Sequence, residues 1–446
     1  MICDIQERKA GGIPLSNTET KGKGKSPQLR NTATFLSVVC PGLGQIYNRR
    51  FFKGFLFFII TISFLITTWN YIDIGIWGLF TLGTVPQKHH SIQLLLQGLI
   101  SLIILVFGIL VYFYNIKDAR NDGILREEGV KKPAFLHSVK QFYDRGFPYF
   151  MILPGLVMLV FIVVLPLLFM IALAFTDYNQ YNAPPRNLLN WVGIDNFRAL
   201  INVSIWKDTF LNVFTWTIVW TVVATTSQIL LGFFLALFVN DKRVKFKRII
   251  RTILILPWAV PAFVTILIFS ALFNPTFGAI NRDILAQFNM MIPWLSDPFW
   301  AKIALIMIQT WLGFPFVFAL FTGVLQSVPQ DMYEAADVDG GTRWQKLRFI
   351  TVPHVLYATA PLLIMQYAGN FNNFNIIYLF NEGNPAVRGQ NAGGTDILIS
   401  WVYKLTFETN NYNMAAAITI IMGLMVSVFA FFQFRKTAAF KDEGRY

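Results

Sequence analysis

Charged residues are scarce in this chain of 446 residues. Asp, Glu, Lys and Arg together make up 14% of it and hydrophobic residues 55%, whereas roughly a quarter of the residues in a soluble globular protein are charged. Apolar runs of about 20 residues recur, and each is long enough to cross a hydrocarbon core of roughly 30 Å. The composition excludes an ordinary soluble protein and predicts an all-α integral membrane protein.

Cysteine and histidine are also rare. The two cysteines give neither a disulfide framework nor a metal-ligand spacing, and the four histidines form no cluster with carboxylates. We therefore expect no metal site and no cofactor bound by this chain. The residues concerned are Cys3, Cys40, His89, His90, His137 and His354.

The N-terminal stretch lacks a hydrophobic signal. Residues 1–32 are rich in Lys, Gly, Ser, Thr and Asn, which predicts a flexible basic cytoplasmic tail and no cleavable signal peptide. Gly24-Lys25-Ser26 superficially matches the end of a nucleotide-binding loop. However, Glu19 stands where that loop requires its first glycine, and no predicted strand precedes it. We therefore expect the chain to lack an ATPase of its own.

Apolar stretches of spanning length divide the rest of the chain. They predict eight transmembrane helices, at about 51–69, 92–114, 149–175, 209–239, 252–274, 301–327, 355–380 and 413–434. The first two spans form a predicted hairpin, and with a broken interfacial or re-entrant segment they make an N-terminal element over residues 33–114. A cytoplasmic linker over 115–148 separates this element from a six-span region over 149–446. The run Pro41–Tyr47 in the broken segment is interpreted as a packing or turn motif rather than a site.

The net charge of +13 could suggest nucleic-acid binding, but the basic residues are confined to alternate loops. Both termini and the loops between spans two and three, four and five, and six and seven hold 28 of the 37 Lys and Arg residues. The loops on the other side hold seven. Because cytoplasmic loops carry the excess of Lys and Arg, both termini are predicted to be cytoplasmic.

Ionisable side chains are missing from the interior of the six later spans. Ion-coupled transporters usually carry such residues at membrane depth, so their absence argues against that class and against a charged substrate. Neutral amides are present instead. Offsets of four and seven residues from Gln366 to Asn370 and Asn373 predict three amides on one helical face. Hydrogen bonding between helices would explain them, and so would a polar pathway whose amides and aromatic rings contact sugar hydroxyls and rings.

Two other spans carry residues of interest. The sixth contains Gln309 and Gly313, where glycine either opens space beside the helix or serves helix packing. The fifth contains Trp258 between Pro257 and Pro261, and the two prolines predict a kink.

A polar loop at 328–354 interrupts the apolar C-terminal half. Acidic residues favour a first short helix that Gly340 and Gly341 terminate, and Thr342 with Gln345 predicts a capping box for a second one. An ordinary amphipathic connector at the membrane surface would account for these local signals.

The spacing in this loop also resembles a known motif. Glu-Ala-Ala, three residues, Gly, nine residues, Ile, one residue, a branched apolar residue and Pro is similar to the EAA loop of bacterial ABC importer permeases, with Val352 where Leu is common. The resemblance implies a coupling helix that docks into a cytoplasmic ATPase. The residues it implies for ATPase coupling are Glu334, Ala335, Ala336, Gly340, Ile350 and Pro353.

The membrane interior resembles the MalF family of maltose and maltodextrin permeases, in the form found in Gram-positive bacteria. Asn-Phe-Asn-Asn-Phe at 370–374 is the strongest local match, whereas Gln366 and Gly369 differ from the family pattern. The loop at 176–208 is short where enteric relatives carry a large domain. The resemblance implies contact with sugar by Trp258, Gln309, Gly313, Gln366, Gly369, Asn370 and Asn373.

From this resemblance we expect a non-enzymatic permease subunit of an importer for maltose or maltodextrins, located in the bacterial cytoplasmic membrane. Its expected partners are a second, MalG-like permease, two copies of a cytoplasmic ATPase that bind ATP and Mg, and an extracellular solute-binding protein. A permease for another neutral sugar or for glycerol phosphate is the alternative within the class, and the neutral amides disfavour the phosphate ester. A membrane enzyme or scaffold is the alternative outside it.

Overall fold

The structure is a computed structural model that describes residues 28–129, 135–241 and 243–436. Over these ranges the chain is helical without named strands, and its β pairing consists of the isolated bridges Thr176–Trp191 and Ala386–Gly393. The prediction of an all-α membrane protein is confirmed. Most of the expected basic tail lies outside the described residues, but 28–32 belong to a helix rather than to a flexible segment.

Seven helices are long and apolar enough to cross a membrane, and a bent pair of helices makes an eighth candidate span. This agrees with the eight predicted spans. In chain order the candidates are Phe51–Thr81, Ser91–Glu127, Gly146–Leu173, Ser204–Asn240, Lys247–Ala259 with Ala262–Leu272, Pro298–Ser327, Arg343–Asn381 and Tyr412–Phe432.

Several helices extend beyond the predicted ends. The first span continues past residue 69 to Thr81, because the backbone turns only at Leu82 and Gly83, where φ is positive. The second continues past residue 114 to Glu127, through a polar stretch that hydropathy assigns to the linker. Much of the predicted loop and linker is therefore helix, since hydropathy marks where a chain enters the membrane and not where its helix stops.

Contacts group the chain into two compact units. The N-terminal unit comprises the described residues up to Thr81 together with Ile92–Leu165, and the C-terminal unit comprises Leu82–Ser91 with residues from Pro166 onward. The predicted boundary at residue 149 stays a prediction. Helices of the N-terminal unit are α1 (Gln28–Val39), α2 (Leu43–Tyr47), α3 (Phe51–Thr81), most of α4 (Ser91–Glu127) and α5 (Phe135–Leu159).

Buried polar side chains hold the start of the N-terminal unit together. Gly42, with φ of +94°, begins α2 and donates its backbone N–H to Asn115 Oδ1 at 3.2 Å. The Gln45 amide donates to the Asn115 carbonyl at 2.9 Å, and Asn48 Nδ2 donates to the Ala119 carbonyl at 2.9 Å. These bonds fix α2 against α4, so the Pro41–Tyr47 run acts as the packing and turn motif that the sequence suggested.

The C-terminal unit contains the remaining helices, several of them joined by short π or 3₁₀ turns. They are α6 (Leu165–Leu173), α7 (Asp195–Asn202), α8 (Ser204–Asn240), α9 (Lys247–Ile255), α10 (Ala262–Leu272), α11 (Pro298–Ser327), α12 (Gln330–Val338), α13 (Arg343–Lys346), α14 (Val352–Phe371), α15 (Phe374–Asn381), α16 (Leu398–Phe407) and α17 (Tyr412–Lys436).

The seam between α8 and α11 is the core of the C-terminal unit. Gly232 on α8 faces Val317 and Phe318 of α11 so closely that an added Cβ would overlap them, which allows the two backbones to approach. Fully buried Trp220 and Phe318 fill the seam at two levels. Small residues thus set the helix spacing, as expected where lipid supplies no hydrophobic drive for association.

The fifth span is broken. A 3₁₀ turn at Leu256–Ala259 follows α9, and the chain bends by 87° before α10. Pro257 and Pro261 explain the break, because neither can donate to a preceding carbonyl and each ring crowds the previous turn. The predicted kink is confirmed, although it is a sharp bend between two helices rather than a bend within one.

Candidate functional site

The seventh span is interrupted where its amides are concentrated. Helix α14 ends at Phe371 and α15 begins at Phe374, so Asn372 and Asn373 lie in a non-helical step. The carbonyl of Asn370 at this helix end accepts a hydrogen bond from the Trp220 indole at 2.9 Å. A helix terminus inside the membrane needs such partners for its carbonyls, and α8 supplies this one.

Amide side chains join three helices at this step. Gln309 Nε2 of α11 donates to Asn370 Oδ1 at 2.8 Å, and Asn373 Nδ2 donates to Gln309 Oε1 at 3.2 Å. Asn370 Nδ2 in turn donates to Thr225 Oγ1 of α8 at 2.8 Å. We call Thr225, Gln309, Asn370 and Asn373 the amide cluster. Its bonds run between helices, which is the structural role that the sequence left open.

Burial divides the predicted site residues into two sets. Asn370 is 3% exposed and Gln309 is 8% exposed, so both are enclosed by the protein in this structure. Gln366 and Asn373 are half-buried, and Gly369 is exposed with open space where a Cβ would stand. Helix α14 ends before Asn373, so the predicted helical face covers only Gln366 and Asn370. Asn370 and Asn373 nevertheless both hydrogen-bond to Gln309 of α11.

One face of α14 and its end remains open. Gln366 and Gly369 lie three residues apart on α14, and Asn373 lies in the non-helical step that follows the helix. The Gln366 amide makes no hydrogen bond to any other residue that the structure describes, and among those residues Asn373 uses its Nδ2 but not its Oδ1. We call these three residues the open wall. Its amides can still donate and accept hydrogen bonds, which is what a ligand rich in hydroxyl groups requires.

Gly313 has a packing role that the sequence did not separate from an opening role. An added Cβ at Gly313 would overlap Oε1 of Gln228, a fully buried residue of α8. Neither polar atom of the Gln228 side chain finds a hydrogen-bond partner among the described residues. Sequence reasoning missed Gln228, although an amide in the middle of an apolar span was a usable signal. Trp258, at the break of the fifth span, is 55% exposed and packs its ring against Phe316 at 5.9 Å.

The polar loop forms its predicted first helix, α12, at Gln330–Val338. Gly340, with φ of +72°, ends it in the left-handed conformation that favours glycine. The capping box of Thr342 and Gln345 is present, so these local predictions are confirmed. The second helix is not separate, because α13 continues through a π turn at Leu347–Thr351 into α14.

Most of this loop is exposed. Glu334 is exposed and accepts a hydrogen bond from Gln330 Nε2 of its own helix at 2.8 Å. Ala335 and Pro353 are also exposed, whereas Ala336 and Ile350 are half-buried. Large apolar side chains are exposed nearby, with Val338 at 88% and Trp344 at 66%. The loop thus presents several carboxylates, Glu334 among them, beside apolar groups, a composition suited to contact with another protein.

No group of three or more His, Cys, Asp or Glu residues that could hold a metal ion occurs in the described part of the chain.

The chain is similar in sequence to known proteins. Residues 228–436 match the family model "Binding-protein-dependent transport system inner membrane component". The galactooligosaccharides transport system permease protein GanP of Bacillus subtilis (strain 168) is 49% identical over 94% of this chain and 100% of its own length. The maltodextrin transport system permease protein MdxF of the same organism is 45% identical over 93% of this chain and 97% of its own.

A solved structure supports the fold. A chain from a bacterial ABC transporter involved in the import of the acidic polysaccharide alginate superposes with a TM-score of 0.55, at 22% identity, over 67% of this chain and 97% of that one. The resemblance that the EAA loop indicated is confirmed. The chain belongs to the family of binding-protein-dependent transport system inner membrane components, the multi-pass permease subunits of ABC importers.

Proposed function

We propose that this chain is the permease subunit through which an ATP-driven importer passes maltose and maltodextrins across the bacterial cytoplasmic membrane. The observation that carries the proposal is the open wall of Gln366, Gly369 and Asn373 beside a helix break, in a membrane interior without ionisable groups. Amides with free hydrogen-bonding capacity bind neutral hydroxyl groups, and Gly369 lets a sugar ring approach the backbone.

Within this site the residues have different tasks. Gln366 and Asn373 exchange hydrogen bonds with sugar hydroxyls, and Trp258 offers an exposed indole at the break of the fifth span. Gln309 and Asn370 hold the break in shape from behind and contact sugar only where the pore opens between conformations. Gly313 keeps α8 and α11 close through Gln228. A few hydrogen bonds suffice, because a transported ligand must also leave.

The names of two relatives support neighbouring substrate classes. MdxF is called a maltodextrin permease and GanP a galactooligosaccharide permease, at 45% and 49% identity respectively. Galactooligosaccharides are therefore the second candidate, and both classes are neutral oligosaccharides that amides suit. Competition uptake assays on the reconstituted importer, with maltose through maltoheptaose and with galactooligosaccharides, test the proposal. If the importer transported neither maltodextrins nor galactooligosaccharides, the proposal would be refuted.

One permease chain supplies half of a pore, so we infer the usual set of partners. These are a second, MalG-like permease, two copies of a cytoplasmic ATPase and an extracellular solute-binding protein. ATP and Mg bind the ATPases, and this chain does no catalysis. ATP-driven closure of the ATPases would pull on α12 through Glu334, Ala335, Ala336 and Gly340. The direct continuation of α13 into α14, past Ile350 and Pro353, supports transmission of that movement to the open wall.

The proposal places both termini and α12 in the cytoplasm, on the strength of the 28 Lys and Arg residues assigned to that side. Single cysteines in place of Tyr181 and Gly389 should react with an impermeant thiol reagent on intact cells, because both residues lie in loops on the other side. A cysteine in place of Thr342 should react only after the membrane is opened. The reverse pattern would overturn the orientation without affecting the choice of substrate.

A further inference from the structure

A cavity lies in the C-terminal unit, near the N-terminal ends of α8 and α11. Its volume is about 630 Å³, within the range of roughly 300–1,000 Å³ common for ligand pockets. Helix α8 lines it between Asn212 and Val219, and α11 between Pro298 and Ile306. The loop before α16 closes one side with Val387, Gln390, Gly393, Gly394 and Asp396. None of the residues assigned to the sugar site, or to the polar loop at 328–354 (the coupling loop), lines it.

Lys302 supplies a cation to this cavity. Its Nζ stands 4.8 Å from the centroid of the Trp216 ring, and the side chain is half-buried. No carboxylate among the described residues forms a salt bridge with it. A half-buried cation that only an aromatic face offsets retains most of its capacity to bind an anion.

The neighbouring carboxylate is already committed. Asp396 Oδ2 accepts hydrogen bonds from Lys404 Nζ and from the Gly393 backbone N–H, each at 2.7 Å. Its Oδ1 accepts from Ser400 Oγ at 2.8 Å. Burial raises the pKa of Asp396, and the Lys404 ammonium opposes that rise. Asp396 therefore shapes the loop and is matched by Lys404, which leaves the charge of Lys302 uncompensated.

Apolar residues, among them Pro298 and Phe299, line the cavity at both ends, whereas its cation and its amide groups lie at one end. At the end near the helix termini it is lined by Asn212, Lys302 and Gln390, and the two amide side chains make no hydrogen bond with any residue in the described ranges. One to two turns farther into both spans the lining becomes apolar, at Val219 and Ile306. A sugar would need polar partners along its whole length, whereas an amphiphile needs them at one end only.

We propose that this cavity binds an anionic phospholipid, with the phosphate of its headgroup on Lys302 and the upper part of an acyl chain along Val219, Ile303 and Ile306. The depth fits, because Lys302 is the fifth residue of its span and lysines near helix ends reach the headgroup level. Asn212 and Gln390 donate to the remaining headgroup oxygens. The predicted orientation assigns the site to the outer leaflet.

Native mass spectrometry of the purified importer complex, titrated with phosphatidylglycerol, measures this binding directly. Lys302→Gln should weaken phosphatidylglycerol binding roughly tenfold or more, since it removes a charged hydrogen-bond donor to phosphate. Lys302→Arg should keep the binding. The matched control is Lys207→Gln, which removes a lysine charge near the N-terminal end of α8, outside the cavity lining, and should leave the affinity unchanged.

Further measurements distinguish binding of the whole lipid from binding of its phosphate or its acyl chain alone. Ile306→Trp fills the apolar half and should weaken phosphatidylglycerol binding while Lys302 is intact. Inorganic phosphate at the same concentration should not compete, and phosphatidylcholine should bind more weakly. Competition by phosphate, or binding that neither Lys302→Gln nor Ile306→Trp reduces, would overturn the proposal. A further competitor is an acidic solute-binding protein, added instead of phosphate. If it displaced the lipid, the cavity would be a protein-docking site and the proposal would be overturned.

Discussion

The amide cluster and the coupling loop are both polar interruptions of an apolar sequence, yet they solve opposite problems. In the cluster, Asn370 is 3% exposed and its side chain is bonded to two other helices. In the loop, Glu334 is exposed and bonds only within its own helix. Inside a membrane an unpaired buried amide is costly, which favours partners within the protein, whereas a loop in water can leave its side chains for another molecule. Polarity alone therefore does not identify a binding surface, and unspent hydrogen-bonding capacity is the better guide.

The strongest test of the loop is reversal of its charge. Glu334→Lys should leave the fold of this chain intact, because the exposed carboxylate accepts only one local hydrogen bond. If Glu334 pairs with a basic residue on docking, the reversal should cost about 2–5 kcal/mol of association. Co-purification of the ATPase with the permease measures the loss. Glu408→Lys, an exposed charge reversal on the other predicted side, is the control and should retain the ATPase. Equal retention by both variants would make α12 a simple connector.

The cluster should respond in the opposite way. Asn370→Ala removes bonds to Gln309 and Thr225, so one to two buried groups lose a partner at about 1–3 kcal/mol each. The expected result is a clear fall in the thermal unfolding temperature of the complex, whether or not sugar is present. Asn372→Ala is the matched control, because Asn372 is exposed and its side chain makes no hydrogen bond to other described residues. Wild-type stability of Asn370→Ala would show that the cluster does not hold the helices.

Variants of the open-wall amides should lose more substrate affinity than stability, with the smaller difference at Asn373, which also donates to Gln309 of the amide cluster. Gln366→Ala and Asn373→Ala each leave a sugar hydroxyl without a partner, at a typical cost of about 1–3 kcal/mol, or roughly tenfold or more in affinity. Uptake measured at limiting and saturating sugar concentrations should show a raised half-saturation concentration. Thermal unfolding should shift less than in Asn370→Ala. A matching loss of stability in all three variants would assign the open wall to helix packing as well.

The smallest expected effect comes from a comparison of two glycines that have the same backbone conformation but lie in different loops. Gly340 and Gly389 both have positive φ, at +72° and +78°, and an added Cβ would meet nothing within 4 Å at either. Valine at either site should cost about 1–2 kcal/mol of local strain. Only Gly340→Val should weaken ATPase co-purification, because only Gly340 shapes the end of α12. If Gly389→Val weakened it equally, the effect would be general strain and the coupling role of Gly340 would be lost.

Local signals in the sequence determined much of this protein. Apolar runs located eight candidate spans, since the length of a hydrocarbon core leaves few alternatives for twenty apolar residues. Thr342 with Gln345, and Gly340, gave the coupling loop its turns because capping bonds and glycine backbones act within four or five residues. Pro257 and Pro261 likewise predicted the break in the fifth span.

Only the tertiary structure decided which polar side chains are hydrogen-bonded within the protein and which remain available to a ligand. The bonds of Asn370 reach residues 61 and 145 positions away in the chain, and periodicity along one helix carries no information about such partners. The same holds for Gln228 against Gly313, and for Lys302 over Trp216 beside an acid that Lys404 already matches. A side chain's chemistry is local to its residue, but its hydrogen-bonding capacity is set by whatever the fold packs against it.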